Sequence, residues 1–289
     1  MSVFSRLYIT SSLLIVAMMA SHMALAQPAS RIVTVGGSVT EIIYALDQQD
    51  RIIARDTTSS YPDQVTKLPD IGYARALSPE GVLSVAPDLI IAIEGAGPPE
   101  TIDVLQSAQV DFVSVPEVFT ADGIVAKIRT VGAAVDQVQA AEVLVTQVAS
   151  ELAEAQNTAQ QAANGDPKKV LFILSTQGGR IMAGGTNTAA DGIIHMAGGI
   201  NAVTAFDGYK PLTDEAVAIA APDVILMMNR GGDHGAAAKE LLSMPALIPT
   251  PAAQNGKVVR MNGLHLLGFG PRTASAITEL SQALYGETN

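Results

Sequence analysis

The chain has 289 residues, 48% of them hydrophobic, long enough to bury a sizeable core, and it contains no cysteine. That composition excludes a disulfide framework, thiolate metal sites, a thiol nucleophile and a lipid anchor through an N-terminal Cys. With 17 basic against 28 acidic residues and a formal charge of −11, nucleic acid and anionic membrane are poor partners.

Met1 to Ala26 carries Arg6, then an apolar run from Leu7 through Ala20, and ends Ala24-Leu25-Ala26 before Gln27. This is the charged, apolar and small-residue layout of a secretory signal, with cleavage expected near Ala26. Thr10, Ser11 and Ser12 break the run, which falls short of the roughly 20 residues a membrane span needs. No later stretch is long and apolar enough to span. A monomeric protein of the periplasm, without stable membrane insertion, is expected.

Arg31 to Val35 is a short β-branched run that stops at Gly36-Gly37-Ser38. Val39, Ile42, Ile43 and Leu46 follow at helical spacing, and Ser38 with Glu41 forms a capping-box pattern. The glycines could offer amides to an anion at the helix start, but a tight turn explains them as well. Strand, turn and helix open an α/β unit.

The next stretch, Ile71-Gly72-Tyr73-Ala74-Arg75-Ala76, leads into Leu77-Ser78-Pro79-Glu80-Gly81-Val82 and Ala86-Pro87-Asp88-Leu89-Ile90. In an extended segment Tyr73 and Arg75 face the same way. Such a pair can supply a phenolate to Fe(III), with the guanidinium favouring the anion, or it is a surface pair in a polar loop.

From Ala121 to Ala163 the chain is rich in Ala, Gln, Val and Glu, with Leu144, Val148 and Leu152 at i, i+4 and i+8. This predicts one long amphipathic helix, stopped by Asn164-Gly165-Asp166-Pro167.

The opening unit then returns. Val170 to Leu174 is a strand, and Gly184-Gly185-Thr186 precedes a helix whose Ile193-Ile194-His195-Met196 answers to Ile42-Ile43-Tyr44-Ala45. A sharper repeat sets Leu212-Thr213-Asp214-Glu215-Ala216-Val217 and Ala221-Pro222-Asp223-Val224-Ile225 against Leu77 to Ile90, at a constant offset of 135. Ser78 and Thr213 are natural N-caps, each followed two residues later by a carboxylate that the helix dipole favours. Two matches in the same order predict duplication of a βα lobe. The expected fold is α/β, with two Rossmann-like lobes joined by a long backbone helix and a ligand cleft between them. The expected parts are a signal peptide at 1–26, an N-terminal lobe at 27–120, a linking helix region at 121–165 and a C-terminal lobe at 166–289.

Catalytic signatures are missing: there is no G-x-G-x-x-G behind a strand, no Walker sequence, no G-x-S-x-G and no H-E-x-x-H. The protein is therefore not expected to be an enzyme. His195 reads as core or groove packing and His234, in a Gly-rich stretch, as solvated. His265, beside Gly263 and Gly268, is open between site and structure.

The stretch Gly72 to Ser84 resembles periplasmic hemin-binding proteins of ABC importers. So do Ala183 through Gly199, Tyr209-Lys210-Pro211-Leu212 and Leu266-Leu267-Gly268-Phe269-Gly270-Pro271-Arg272, so that the resemblance runs from about Arg31 to about Leu284. It lies within the wider class that also holds vitamin B12 and siderophore binders. The resemblance implies capture of heme, Fe(III) protoporphyrin IX, and its delivery to an ABC permease and ATPase complex. By it, Tyr73 is the axial iron ligand, Arg75 meets the phenolate or a propionate, and Tyr209 faces the cleft from the other lobe, with His265 as a supporting contact. Glu80 and Glu215 become the two lobe-tip carboxylates that dock on the permease. Some hemin binders carry a His in the loop after the first strand of the second lobe. Here that loop reads Leu174-Ser175-Thr176-Gln177-Gly178-Gly179, which implies a single, tyrosine-ligated heme. A corrinoid or ferric siderophore is the alternative ligand, and an envelope enzyme or interaction module the third reading.

Overall fold

A computed structural model of the chain describes residues 28–229 and 238–286. The expected signal segment and His234 lie outside the described residues.

The first half folds as strands β1 (Ile32–Val35), β2 (Ile52–Arg55), β3 (Leu89–Ile93) and β4 (Asp111–Val115) with helices α1 (Gly37–Ala45), α2 (Pro79–Leu83) and α3 (Pro99–Ser107). The strands form one parallel sheet in the order β2-β1-β3-β4. Alternation along them sends Ile32, Leu89 and Ile91 to one core and Val33, Val35, Ile90 and Ala92 to another. Both faces are covered, as a parallel sheet requires.

Helices α4 (Ala121–Ala134) and α5 (Val138–Ala163) come next, where a single helix was expected. Asp136 breaks the run by adopting a left-handed backbone, φ 58°, so that α4 turns back and packs along α5. A Cβ on Gly132 would lie 2.3 Å from Ala141 Cβ, so the missing side chain sets how closely the two helices approach. The strut is α5 alone, 26 residues and so ~39 Å long. Its buried stripe runs Ala141, Val145, Val148, Leu152, Ala155, Ala159 and Ala163, and it ends at a left-handed Asn164, as the sequence predicts.

The second half contains β5 (Lys169–Ser175), β6 (Ile181–Gly184), α6 (Ala189–Met196), β7 (Ile200–Asn201), β8 (Tyr209–Leu212), α7 (Asp214–Ala220) and β9 (Val224–Asn229). After these come α8 (Ala238–Leu242), α9 (Pro251–Gln254), β10 (Val258–Asn262), α10 (Gly263–Leu267) and α11 (Thr273–Tyr285). Its sheet runs β10-β9-β5-β6-β8, with β7 beside β5. The core β5, β9 and β10 are parallel and repeat β1, β3 and β4. On the other side of β5 the short parallel strand β7, which follows α6 as β2 follows α1, repeats β2, and the antiparallel strands β6 and β8 are added on the same edge.

The duplication extends to atoms. Ser78 and Thr213 accept from the amides of Gly81 and Ala216, capping α2 and α7. Ala86 and Ala221, in the two A-P-D turns, both take a left-handed backbone, with φ 49° and 41°. Asp88 then accepts from the Arg31 amide and Asp223 from the Lys169 amide, which ties each turn to the first strand of its lobe.

The capping box at Ser38 and Glu41 does not form. Gly36 is the N-cap of α1, with φ 106°, and no side chain caps the helix. A Cβ on Gly37 would lie 2.3 Å from Leu264 Cδ1, so the turn is filled by the opposite lobe and has no room for an anion.

Candidate functional site

Tyr73 and Arg75 lie in a tight turn, not in the extended segment expected, because the Ala76 amide donates to the Tyr73 carbonyl at 2.7 Å. The turn is fixed from below. Ile71, Ala74 and Leu77 are buried, Thr57 donates to the Gly72 carbonyl, and Gly97 donates to the Ala74 carbonyl while its own carbonyl accepts from Leu77. Tyr73 and Arg75 are left exposed, Tyr73 at 48%.

Tyr209 comes to the same place from the other lobe. It begins β8, pairs with Gly184 of β6, and packs edge-on to Phe172 with ring centroids 6.2 Å apart. Burial pushes its phenol above the usual value. The Thr188 side chain, the Ala190 amide and Arg75 favour the anion, and Tyr73 opposes it. Arg75 and Tyr73 thus act electrostatically on Tyr209 across the lobe boundary.

His265 belongs to a different group. Its Nδ1 lies 3.2 Å from Arg272 Nη1, and its Nε2 lies 3.5 Å from Ser275 Oγ and 3.4 Å from Glu279. Burial, then Arg272, hold the imidazole below its ordinary value, with Glu279 acting in the opposite sense. Arg272 in turn reaches into the other lobe. Its Nη2 and Nε donate to the two carboxylate oxygens of Glu41 at 2.6 and 2.9 Å, and its guanidinium carbon lies 3.6 Å from the centre of the Tyr61 ring.

Nearby, Lys127 of α4 is wholly buried. It pairs with Glu117, donates to Ser38 Oγ at 3.2 Å, and reaches the Gly268 carbonyl at 3.5 Å. Sequence reading passed over Lys127, since a single lysine on a helix carries no signal of burial. It also gave Glu41 a local partner in place of the distant one.

His195 is more exposed than core packing would leave it. It pairs with Asp191 at 3.4 Å and lines a notch of about 450 Å³ beside Glu117, Phe119, Gln156 and Thr188, where α6 meets the other lobe. Among the described residues no group of three or more His, Asp or Glu could hold a metal ion. Glu80 and Glu215 are exposed at the second positions of α2 and α7. No helix among the described residues is long and apolar enough to cross a membrane.

Comparison with known proteins agrees with this architecture. An uncharacterized ABC transporter substrate-binding lipoprotein of Bacillus subtilis, YvrC, is 26% identical over 260 residues, 89% of this chain and 81% of that one. The vitamin B12-binding protein of Yersinia pestis is 34% identical over 80 residues, 28% of this chain and 29% of that one. The periplasmic heme-binding protein BhuT, solved with two hemes, is 38% identical with a TM-score of 0.83, covering 88% of this chain and 97% of its own. The periplasmic heme-binding protein RhuT of Roseiflexus sp. RS-1, solved in apo form, is also 38% identical with a TM-score of 0.84, covering 89% and 98%. A periplasmic binding protein family model matches residues 32–263, across both lobes. With its two α/β lobes, helical strut and interlobe cleft, the chain belongs to the periplasmic binding protein family, the substrate-binding components of ABC transport.

Proposed function

We propose that the protein captures heme in the interlobe cleft, in the periplasm, and delivers it to an ABC import permease. The observation that carries this reading is the convergence of Tyr73 and Arg75 from one lobe on Tyr209 from the other. Likeness to BhuT and RhuT over nearly all of the chain supports it. The exposed Tyr73 phenol is the axial ligand for ferric iron. Binding displaces its proton, because ferric iron takes the phenolate as ligand. Arg75 and Tyr209 then orient the macrocycle.

In this reading Tyr73 is the sole iron ligand. His265 is engaged by Arg272 and Glu279, His195 is paired with Asp191, and the turn at Gln177–Gly179 offers no imidazole. The reading is of a single heme per protein. The lobes are read as 27–120 and 166–289 around the linking region 121–165, in a monomer released from its signal peptide. Glu80 and Glu215 are the docking carboxylates for the permease.

Hemin titration of the purified protein tests this directly. A tyrosinate-type ferric spectrum at one heme per chain is expected, and Tyr73→Ala should abolish it. An unchanged spectrum and affinity in Tyr73→Ala would remove the ligand assignment. The local match to a vitamin B12-binding protein keeps a corrinoid as the second reading. Competition among hemin, cobalamin and ferric siderophores separates the two.

A further inference from the structure

The segment Leu266 to Arg272 is where the second lobe meets the first. Phe269 packs edge-on to Phe119 at 5.2 Å, and a Cβ on Gly270 would lie 3.3 Å from Ser38. Phe269 is 1% exposed and holds φ at 49°. A bulky residue in that left-handed region is strained, and such strain persists only where the surroundings over-determine it. Arg272 comes next but two, at the N-cap of α11, whose first turn has no acidic residue. A cation there faces the positive end of the helix dipole, so helix energetics alone would place an acid at this position. Its compensating charge comes from the other lobe instead.

We infer that Arg272 is a positioning residue for the cleft: clamped on Glu41 and Tyr61 and backed by Lys127, it fixes the angle between the lobes and so the separation of Tyr73 from Tyr209. The geometry needs a planar fork. Two nitrogens meet the two oxygens of a carboxylate that is only 6% exposed, a third meets His265, and the flat face covers the Tyr61 ring. A lysine supplies the charge but neither the bidentate pair nor the stacking face. Lys127 tethers the same junction on its other side, joining Ser38 and Glu117 of the first lobe to the Gly268 carbonyl of the second. This clamp holds the lobes at one aperture before ligand arrives.

The absence of cysteine makes the test clean. Val104→Cys and Ile219→Cys, at exposed positions one in each lobe, accept a single pair of spin labels. Their distance distribution is measured by electron–electron double resonance on hemin-free protein. In the labelled parent a single narrow distribution is expected. Arg272→Lys and Arg272→Ala should each widen it at least twofold, and hemin transfer to apomyoglobin should become at least tenfold faster. A parental width in both folded variants overturns the inference, as does rescue by lysine. Should Arg272→Ala fail to fold, Glu41→Gln, which keeps volume while removing the charge, is read by the same criterion. The distribution is recorded without hemin, so it stands or falls apart from the identity of the ligand. Failure of the parent to bind hemin would sink the heme reading and leave the clamp untouched.

Discussion

Arg272 lies over Tyr61, its guanidinium carbon 3.6 Å from the ring centre, while the same side chain grips Glu41. The aromatic face therefore belongs to the lobe contact, although Tyr61 is 43% exposed. Tyr61→Phe keeps the ring quadrupole and should leave stability nearly unchanged. Tyr61→Ala should cost about 1 kcal/mol, the usual size of a partly solvated cation–π contact. Urea denaturation of both variants measures the difference.

The imidazole of His265 gives stability a pH dependence of definite sign. Burial and Arg272 depress its proton affinity in the folded protein. The unfolded chain therefore takes up the proton first as pH falls. Stability is complete above the unfolded value, near pH 6.5, and declines as pH drops through the lower folded value. His265→Gln should flatten that part of the stability curve. Chemical denaturation midpoints measured on either side of pH 6.5, in parent and variant, check it.

Gly192 sits where α6 meets the other lobe. A Cβ there would lie 2.5 Å from the Phe119 carbonyl oxygen and 3.0 Å from Phe269 Cζ. Gly192→Ala should thus destabilise the protein by about 1–3 kcal/mol, the common cost of overpacking, despite alanine's better helix propensity. Thermal unfolding of the purified variant decides it.

Glu80 and Glu215 offer a test that leaves the cleft alone. Reversing both to Lys should abolish uptake through the reconstituted permease while hemin titration stays at the parental affinity. Normal uptake by the double variant would remove the docking assignment. Each single reversal should give an intermediate loss, since equivalent sites on two lobes meet equivalent sites on a two-fold partner.

What could be read from sequence was what neighbouring residues settle among themselves. The caps Ser78 and Thr213, the two A-P-D turns and the stop at Asn164 are local, and the structure reproduces each. Tertiary contact decided the rest. Glu41 has a capping-box partner three residues away in sequence, yet it bonds Arg272, 231 residues on. The helical pattern of 121–163 continues through Asp136, and only the fold shows that the chain reverses there. Tyr73 and Arg75 were legible as a pair but not as a turn, because that turn is held by Thr57 and Gly97. Nothing in the pattern around Lys127 announced a buried amine.

The left-handed alanines Ala86 and Ala221 carry a historical consequence. Glycine would relax both positions, so neither alanine is there for backbone comfort. A shared discomfort at the same place in two copies is an heirloom, passed down from one ancestral half-chain. The two copies differ where they carry the candidate site: one has a turn bearing Tyr73 and Arg75, the other a strand, β8, bearing Tyr209.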